Sequence, residues 1–366
     1  MAICLSPSGD AISSSQAPSN EVFVGTADGV VLLSRQAPGQ PWKIERRTLE
    51  GYHVCTLTYV QSTGVLFAGT HNGGVAISLD AGASWTFKNK GLGSTNIYSL
   101  AHAGSGSTLK IYAGTEPAAL YVSDDLGENW RELTSLTAVP SAAQWNFPSP
   151  PHIAHVKHIG FAPNDPNHIY ASVEQGELLS SPDGGVTWNE LLRNADAPVR
   201  CDGDAHRAIV RSSKPNEIFL PTGCGLLHSY DKGQSWADES ARITPIGYPD
   251  VTVFDPERQD VMFIAGARSH PGDWFADLNA AAKIARTRDG GASWQIVVNG
   301  LPETSTANFE AMTLEASGGK CAVFVGTTAG DIFCSENDGE RWEKIVEGLP
   351  PISKGGHFGI LSGAFH

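Results

Sequence analysis

Charge is scarce in this sequence: Asp, Glu, Lys and Arg make up 17% of its 366 residues. What charge there is leans acidic, with a formal net of −14. No basic patch is visible, which argues against nucleic acid or an anionic membrane as partner. No apolar run is long enough to span a bilayer. The start, Met1 to Pro7, has neither a charged leader nor a long apolar stretch, so a cytoplasmic location is expected. The six cysteines, Cys4, Cys55, Cys201, Cys224, Cys321 and Cys334, form no CxxC pair and are expected to be reduced. No nucleotide cofactor is expected.

What is abundant is glycine, at 40, with 22 prolines. That suits many short strands joined by tight turns. The pattern Ser-x-Asp-x-Gly-x-x-Trp recurs. It reads SLDAGASW at Ser78 to Trp85, SDDLGENW at Ser123 to Trp130, and SPDGGVTW at Ser181 to Trp188. It continues as SYDKGQSW at Ser229 to Trp236 and TRDGGASW at Thr287 to Trp294. SENDGERW, Ser335 to Trp342, has Asn337 in the Asp position, and a worn copy runs from Ser34 to Trp42. The chemistry is that of a hairpin. The Asp carboxylate accepts N–H bonds from just downstream, Gly supplies a positive φ, and Trp covers the apolar face of the next strand.

These residues resemble the Asp-box, or BNR, repeats of sialidase-like propellers, over nearly the whole chain. The resemblance implies an all-β, seven-bladed β-propeller of four-stranded antiparallel blades, one domain over residues 1–366, with 351–366 helping to close the ring. It implies no single activity, because Asp-boxes occur in sialidases, xyloglucanases, sortilin-type receptors and photosystem assembly factors. The stretch Pro151 to Trp188 also looks like a segment of a broad bacterial BNR-like group with a His-rich start, a Glu before glycine and a later Asp-x-His. The matching positions are His152, His155, Glu174 and His206, although Gln175-Gly176 departs from the glycine-rich continuation.

In such blades the starts of the inner strands share one mouth with the second-to-third-strand loops, and the Asp-boxes lie on the other face. The fourth blade reads as strands His155–Phe161, His168–Val173, Glu177–Ser181 and Thr187–Leu191. The strand starts carry His53, Tyr98, His155, Asp204, His206, Tyr248, Asp250 and Glu310, with His357 in the tail. The loops add His71, Glu116, Glu174, Arg268 and His270. Two long insertions, 138–151 with Trp145 and Phe147, and 268–283 with Trp274 and Phe275, read as a lid.

Histidines and carboxylates converging on an axis suit a divalent metal such as Fe, Zn, Cu or Mn. The expected ligands are His53, His155, His206 and His357. His206, Asp204, Glu174 and Glu310 are the expected catalytic groups, and Trp145, Trp274, Arg268, Tyr98, Tyr248 and Arg207 the expected substrate contacts. Lys157 and Arg207 read equally as salt-bridged groups. The leading expectation is a metal-dependent enzyme acting on a small organic molecule, with lyase, hydrolase and oxygenase chemistry open. A non-catalytic binding or assembly module is the alternative. So is a glycoside hydrolase using a carboxylate pair, although no Arg-Ile-Pro segment of the sialidase kind is present.

Overall fold

The computed structural model describes residues 2–193, 203–274 and 279–354. They form seven antiparallel β-sheets, arranged as the blades of a propeller. The fourth blade consists of His155–Ala162, Asp165–Glu174, Glu177–Ser181 and Asn189–Glu190. Its first two strands run longer than the Pro-Asn-Asp-Pro turn predicts, because Ala162 pairs with Asp165 across it.

Seven apolar clusters hold the ring, each spanning the seam between two neighbouring blades. The Asp-boxes work as the hairpin chemistry dictates. Asp80 Oδ1 accepts from the backbone N–H of Ala83 and Ser84 at 3.1 and 2.8 Å. In the last box Asn337 Oδ1 fills the same role, accepting from Arg341 N at 3.0 Å. Several box tryptophans then pin the preceding blade: Trp130 Nε1 donates to Lys88 O and Trp236 Nε1 to Leu191 O.

The N-terminal segment takes part in ring closure. The N-terminal strand Ala2–Leu5 is the inner strand of the first blade, paired in parallel with Glu21–Thr26. Ile12–Ser14 then adds a fifth strand, also parallel, to Phe309–Ser317 of the last blade. Between them the chain crosses the axis. Ser8 N and Asp10 N donate to Cys55 O and Leu57 O of the second blade. From the fifth blade, Arg207 donates to Pro7 O and Gly9 O at 3.3 and 3.2 Å. Gly9 is required at this crossing, since a Cβ there would lie 2.0 Å from Leu57 O. The C-terminal segment contributes no strand among its described residues. Its residues link the first and last blades, with Pro351 O accepting from Ala27 N and Ile352 N donating to Thr327 O, while 355–366 lie outside the described residues.

Cys4, Cys321 and Cys334 are free thiols, and Cys201 lies outside the described residues. No helix among the described residues is long and apolar enough to cross a membrane.

Candidate functional site

The inner strands share one irregularity. In the second, third, fourth, sixth and seventh blades the register slips near the mouth end of the inner strand. The extra residues are Cys55, Tyr98, Lys157, Asp250 and Glu310. A bulge leaves one residue unpaired in the ladder and re-aims its side chain. Here the device, repeated blade by blade, turns five side chains toward one mouth.

Three of them, Lys157, Asp250 and Glu310, belong to a buried charge network. Lys157 Nζ lies 2.6 Å from Glu174 Oε1 and 2.9 Å from Asp250 Oδ1, joining the fourth blade to the sixth. Lys354, from the C-terminal segment, bridges the same two oxygens at 3.0 and 2.7 Å. His155 Nε2 donates to Glu174 Oε2 at 2.6 Å. Glu310 Oε2 accepts from Ser353 Oγ and Lys354 N, and His53 Nε2 donates to Ser353 O at 2.6 Å. Glu174, Asp250, Glu310, Lys157 and Lys354 are each less than 5% exposed.

Burial dominates the electrostatics. Burial alone would raise Glu174, but Lys157 and Lys354 outweigh it and hold this carboxyl well below the usual carboxylate range. Burial pulls Lys157 down against the pull of Asp250 and Glu174. It also lowers His155, which the bond to Glu174 only partly offsets. Desolvation raises Glu116, whose Oε2 sits 3.8 Å from His155 Nδ1.

Beside this network lies a second group. His206 Nδ1 is 2.6 Å from Pro249 O. Its Nε2 faces Asp204 Oδ1 at 3.2 Å and Glu174 Oε1 at 3.6 Å. Among the described residues, several buried polar atoms of the mouth have no hydrogen-bond partner: His71 Nε2, His155 Nδ1, Asp204 Oδ1, His206 Nε2 and Asn308 Oδ1. Aromatic rings wall the space. Tyr98 stacks on His155 at 3.7 Å, and Tyr248 meets His206 edge-on at 4.8 Å.

The structure therefore brings together Glu174, Asp204, His206, His155, Glu310, Tyr98 and Tyr248. His53 joins through Ser353 O and through its ring contact with His71, outside the group that His206 forms with Glu174 and Asp204. His357 and Phe275 lie outside the described residues. Arg268 is exposed on the rim and Arg207 is spent on the N-terminal crossing. Of the lid residues, Phe147 packs 5.2 Å from the His155 ring and is buried. Trp274 is buried in the apolar cluster that also holds Tyr248. Trp145 sits further out, lining a rim cavity of about 500 Å³ with His152, Ile153 and Pro117.

Sequence reasoning placed Asp250 among the strand starts and read Lys157 as a salt-bridged group, but assigned neither to the site. Asn308 stands two residues before Glu310. It donates to Asp250 and Glu310. Lys354 belongs to no repeat, and no pattern pointed to it.

No family model matches the chain. The Photosystem II assembly protein Ycf48 of Thermosynechococcus vestitus (strain NIES-2133 / IAM M-273 / BP-1) is 26% identical over 208 residues, 49% of this chain and 56% of that protein. The chain thus spans about half the length of this curated relative. Among solved structures, a GH74 enzyme of Niastella koreensis superposes with a TM-score of 0.62 at 16% identity, over 94% of this chain and 55% of its own. An ancestral GH74 enzyme gives 0.60 at 19%, over 78% of this chain and 37% of its own. YCF48 bound to D1 peptide gives 0.56 at 16%, over 88% and 91%. At these identities the likeness is one of fold. The chain is an Asp-box β-propeller of seven four-stranded blades.

Proposed function

We propose that the protein is an enzyme acting on a small polar organic molecule at the axial mouth, with His206 and Asp204 holding that molecule or the ion that activates it. The observation that carries this reading is a set of buried polar atoms without hydrogen-bond partners among the described residues, two of which, His206 Nε2 and Asp204 Oδ1, face each other at 3.2 Å. Buried polar groups are almost always satisfied, so such a set calls for something that binds there. The mouth is walled by aromatic rings and covered by Phe147 and the C-terminal segment, so a reactant held there is kept from bulk water. A divalent metal at this mouth would polarise a carbonyl or activate water or oxygen. Glycoside hydrolysis fits less well. It needs one carboxyl kept protonated as general acid; Glu174 is held ionised by Lys157 and Lys354, which leaves Glu116, raised by burial, as the carboxyl suited to that role.

A thermal-shift screen of small oxygenated metabolites tests the proposal. Binders are expected to raise the melting temperature of the wild type and to lose most of that shift in His206→Gln. Binding indifferent to His206→Gln would sink the reading. A second reading, a peptide-binding assembly module, draws support from the Ycf48 relative. It predicts binding that maps away from His206.

A further inference from the structure

We infer that Glu174, Asp204 and His206 bind one divalent first-row metal ion at the axial mouth, a site that rests on the reading of this mouth as a chamber for ligands.

The inference begins with the proton of one imidazole. A carbonyl oxygen only accepts, so at 2.6 Å from Pro249 O the Nδ1 of His206 is the nitrogen that carries the ring hydrogen. In the neutral ring Nε2 is then a bare lone pair. It is fully buried, has no hydrogen-bond partner among the described residues, and faces Asp204 Oδ1 at 3.2 Å and Glu174 Oε1 at 3.6 Å. Asp204 Oδ1 also lacks a hydrogen-bond partner among them. Two electron-rich atoms pointed at each other in a buried site, beside a carboxylate, repel unless a cation sits between them.

The local geometry suits a metal. A ligating histidine typically donates its other N–H to a backbone carbonyl or carboxylate, as His206 does to Pro249. Metal bonds of about 2.1 Å to nitrogen and oxygen put neighbouring donors roughly 3.0–3.4 Å apart, close to the spacings seen. The three donor atoms lie within 4.8 Å of one another. Asp204 reaches its position only because residue 223 is glycine, where a Cβ would lie 1.9 Å from Asp204 Oδ2. Two carboxylates and one imidazole favour Mn²⁺, Fe²⁺ or Zn²⁺ over ions that demand thiolate.

Two ammonium groups oppose the ion. Lys157 and Lys354 both sit on Glu174 Oε1. The ion therefore lies on the Asp204–His206 side, with Glu174 the weakest of the three ligands. This placement differs from a four-histidine site in which His53 would be essential.

The test is a titration of chelator-treated protein with Mn²⁺ and Zn²⁺, followed by calorimetry. One ion per chain is expected. His206→Gln and Asp204→Asn should each weaken binding at least about a hundredfold, beyond the roughly 10–100-fold that outer-shell changes cost. His53→Gln should leave it unchanged, and Lys354→Met should tighten it. Pulsed EPR of the Mn²⁺-loaded wild type should show a coupled histidine nitrogen, a readout that needs no variant to fold. No stoichiometric binding, binding that survives His206→Gln, or a spectrum without nitrogen coupling each overturns the inference. If metal binding fails while metabolite binding still depends on His206, only the metal falls and the chamber stands. If metal binds as expected while metabolite binding ignores His206, the chamber reading falls and the metal stands.

Discussion

Replacing Lys157 by methionine removes one of two ammonium groups from the axial network while keeping the volume of the side chain. Its contacts to Glu174 and Asp250 are 2.6 and 2.9 Å long. At an effective dielectric of about 20 each is worth roughly 6 kcal/mol of Coulomb energy. Desolvation of the charges and repulsion from Lys354 cancel much of this. Removing one partner of a buried pair costs about 3–5 kcal/mol, because the other charge stays behind. With an unfolding entropy of about 2.1 cal/mol/K per residue, a chain of 366 residues loses roughly 4–6 °C of melting temperature. Differential scanning calorimetry at neutral pH measures this. The sign of the pH effect follows from Glu174. Its pKa is depressed in the folded state, so its contribution is present above the ordinary carboxylate range and lost as pH falls through the folded value. Without Lys157 that value rises, and acid unfolding begins at higher pH. The double variant Lys157→Met/Glu174→Gln leaves Lys354 facing Asp250 alone, and should cost at least about 1 kcal/mol less than the sum of the single variants. A melt within 1 °C of wild type, with additive single and double variants, would refute the claim that these charges are coupled and buried.

Two further outcomes are expected. Glu177 accepts three backbone N–H bonds, from Leu178, Leu192 and Arg193, yet burial pushes its carboxyl up to about 7. A raised acid favours the folded state below its unfolded value, so stability should fall between about pH 4.5 and 7, by at most about 3 kcal/mol. Glu177→Gln should flatten that slope in urea titrations across the range, and an unchanged slope counts against the assignment. Gly9→Ala would place a methyl group 2.0 Å from Leu57 O. It should cost about 1–3 kcal/mol as an overpacked site, and raise hydrogen exchange in residues 6–11 first. Wild-type exchange there would mean that the crossing is not tightly packed.

Much of the architecture was legible because its causes are local. An Asp or Asn side chain, a positive-φ glycine and a covering tryptophan act within eight residues, so six copies of one spacing and a worn seventh specify seven hairpins wherever the blades end up. The fourth blade was read to within a few residues for the same reason, since β alternation and turn signals suffice. The mouth was legible in part: strand starts point one way, which brought Glu174, Asp204, His155, His206, Tyr98 and Tyr248 into one group.

The rest depends on residues far apart in sequence. The parallel pairing of Ile12–Ser14 with Phe309–Ser317 joins the two ends of the chain, and no periodicity encodes such a closure. Arg207 read as a substrate contact because its strand position faces the axis, and the N-terminal crossing claimed it first. The bulges escaped notice because an extra residue in a ladder shows only against its partner strand. Lys354 is the clearest case. It has no motif, yet it bonds carboxylates of the fourth and sixth blades. Sequence alone determined the ring, its seven hairpins and the face where polar groups collect. Only tertiary structure decided which of those groups are neutralised by lysines and which, like Nε2 of His206, are left without a partner, because charge pairing is set by distance through space.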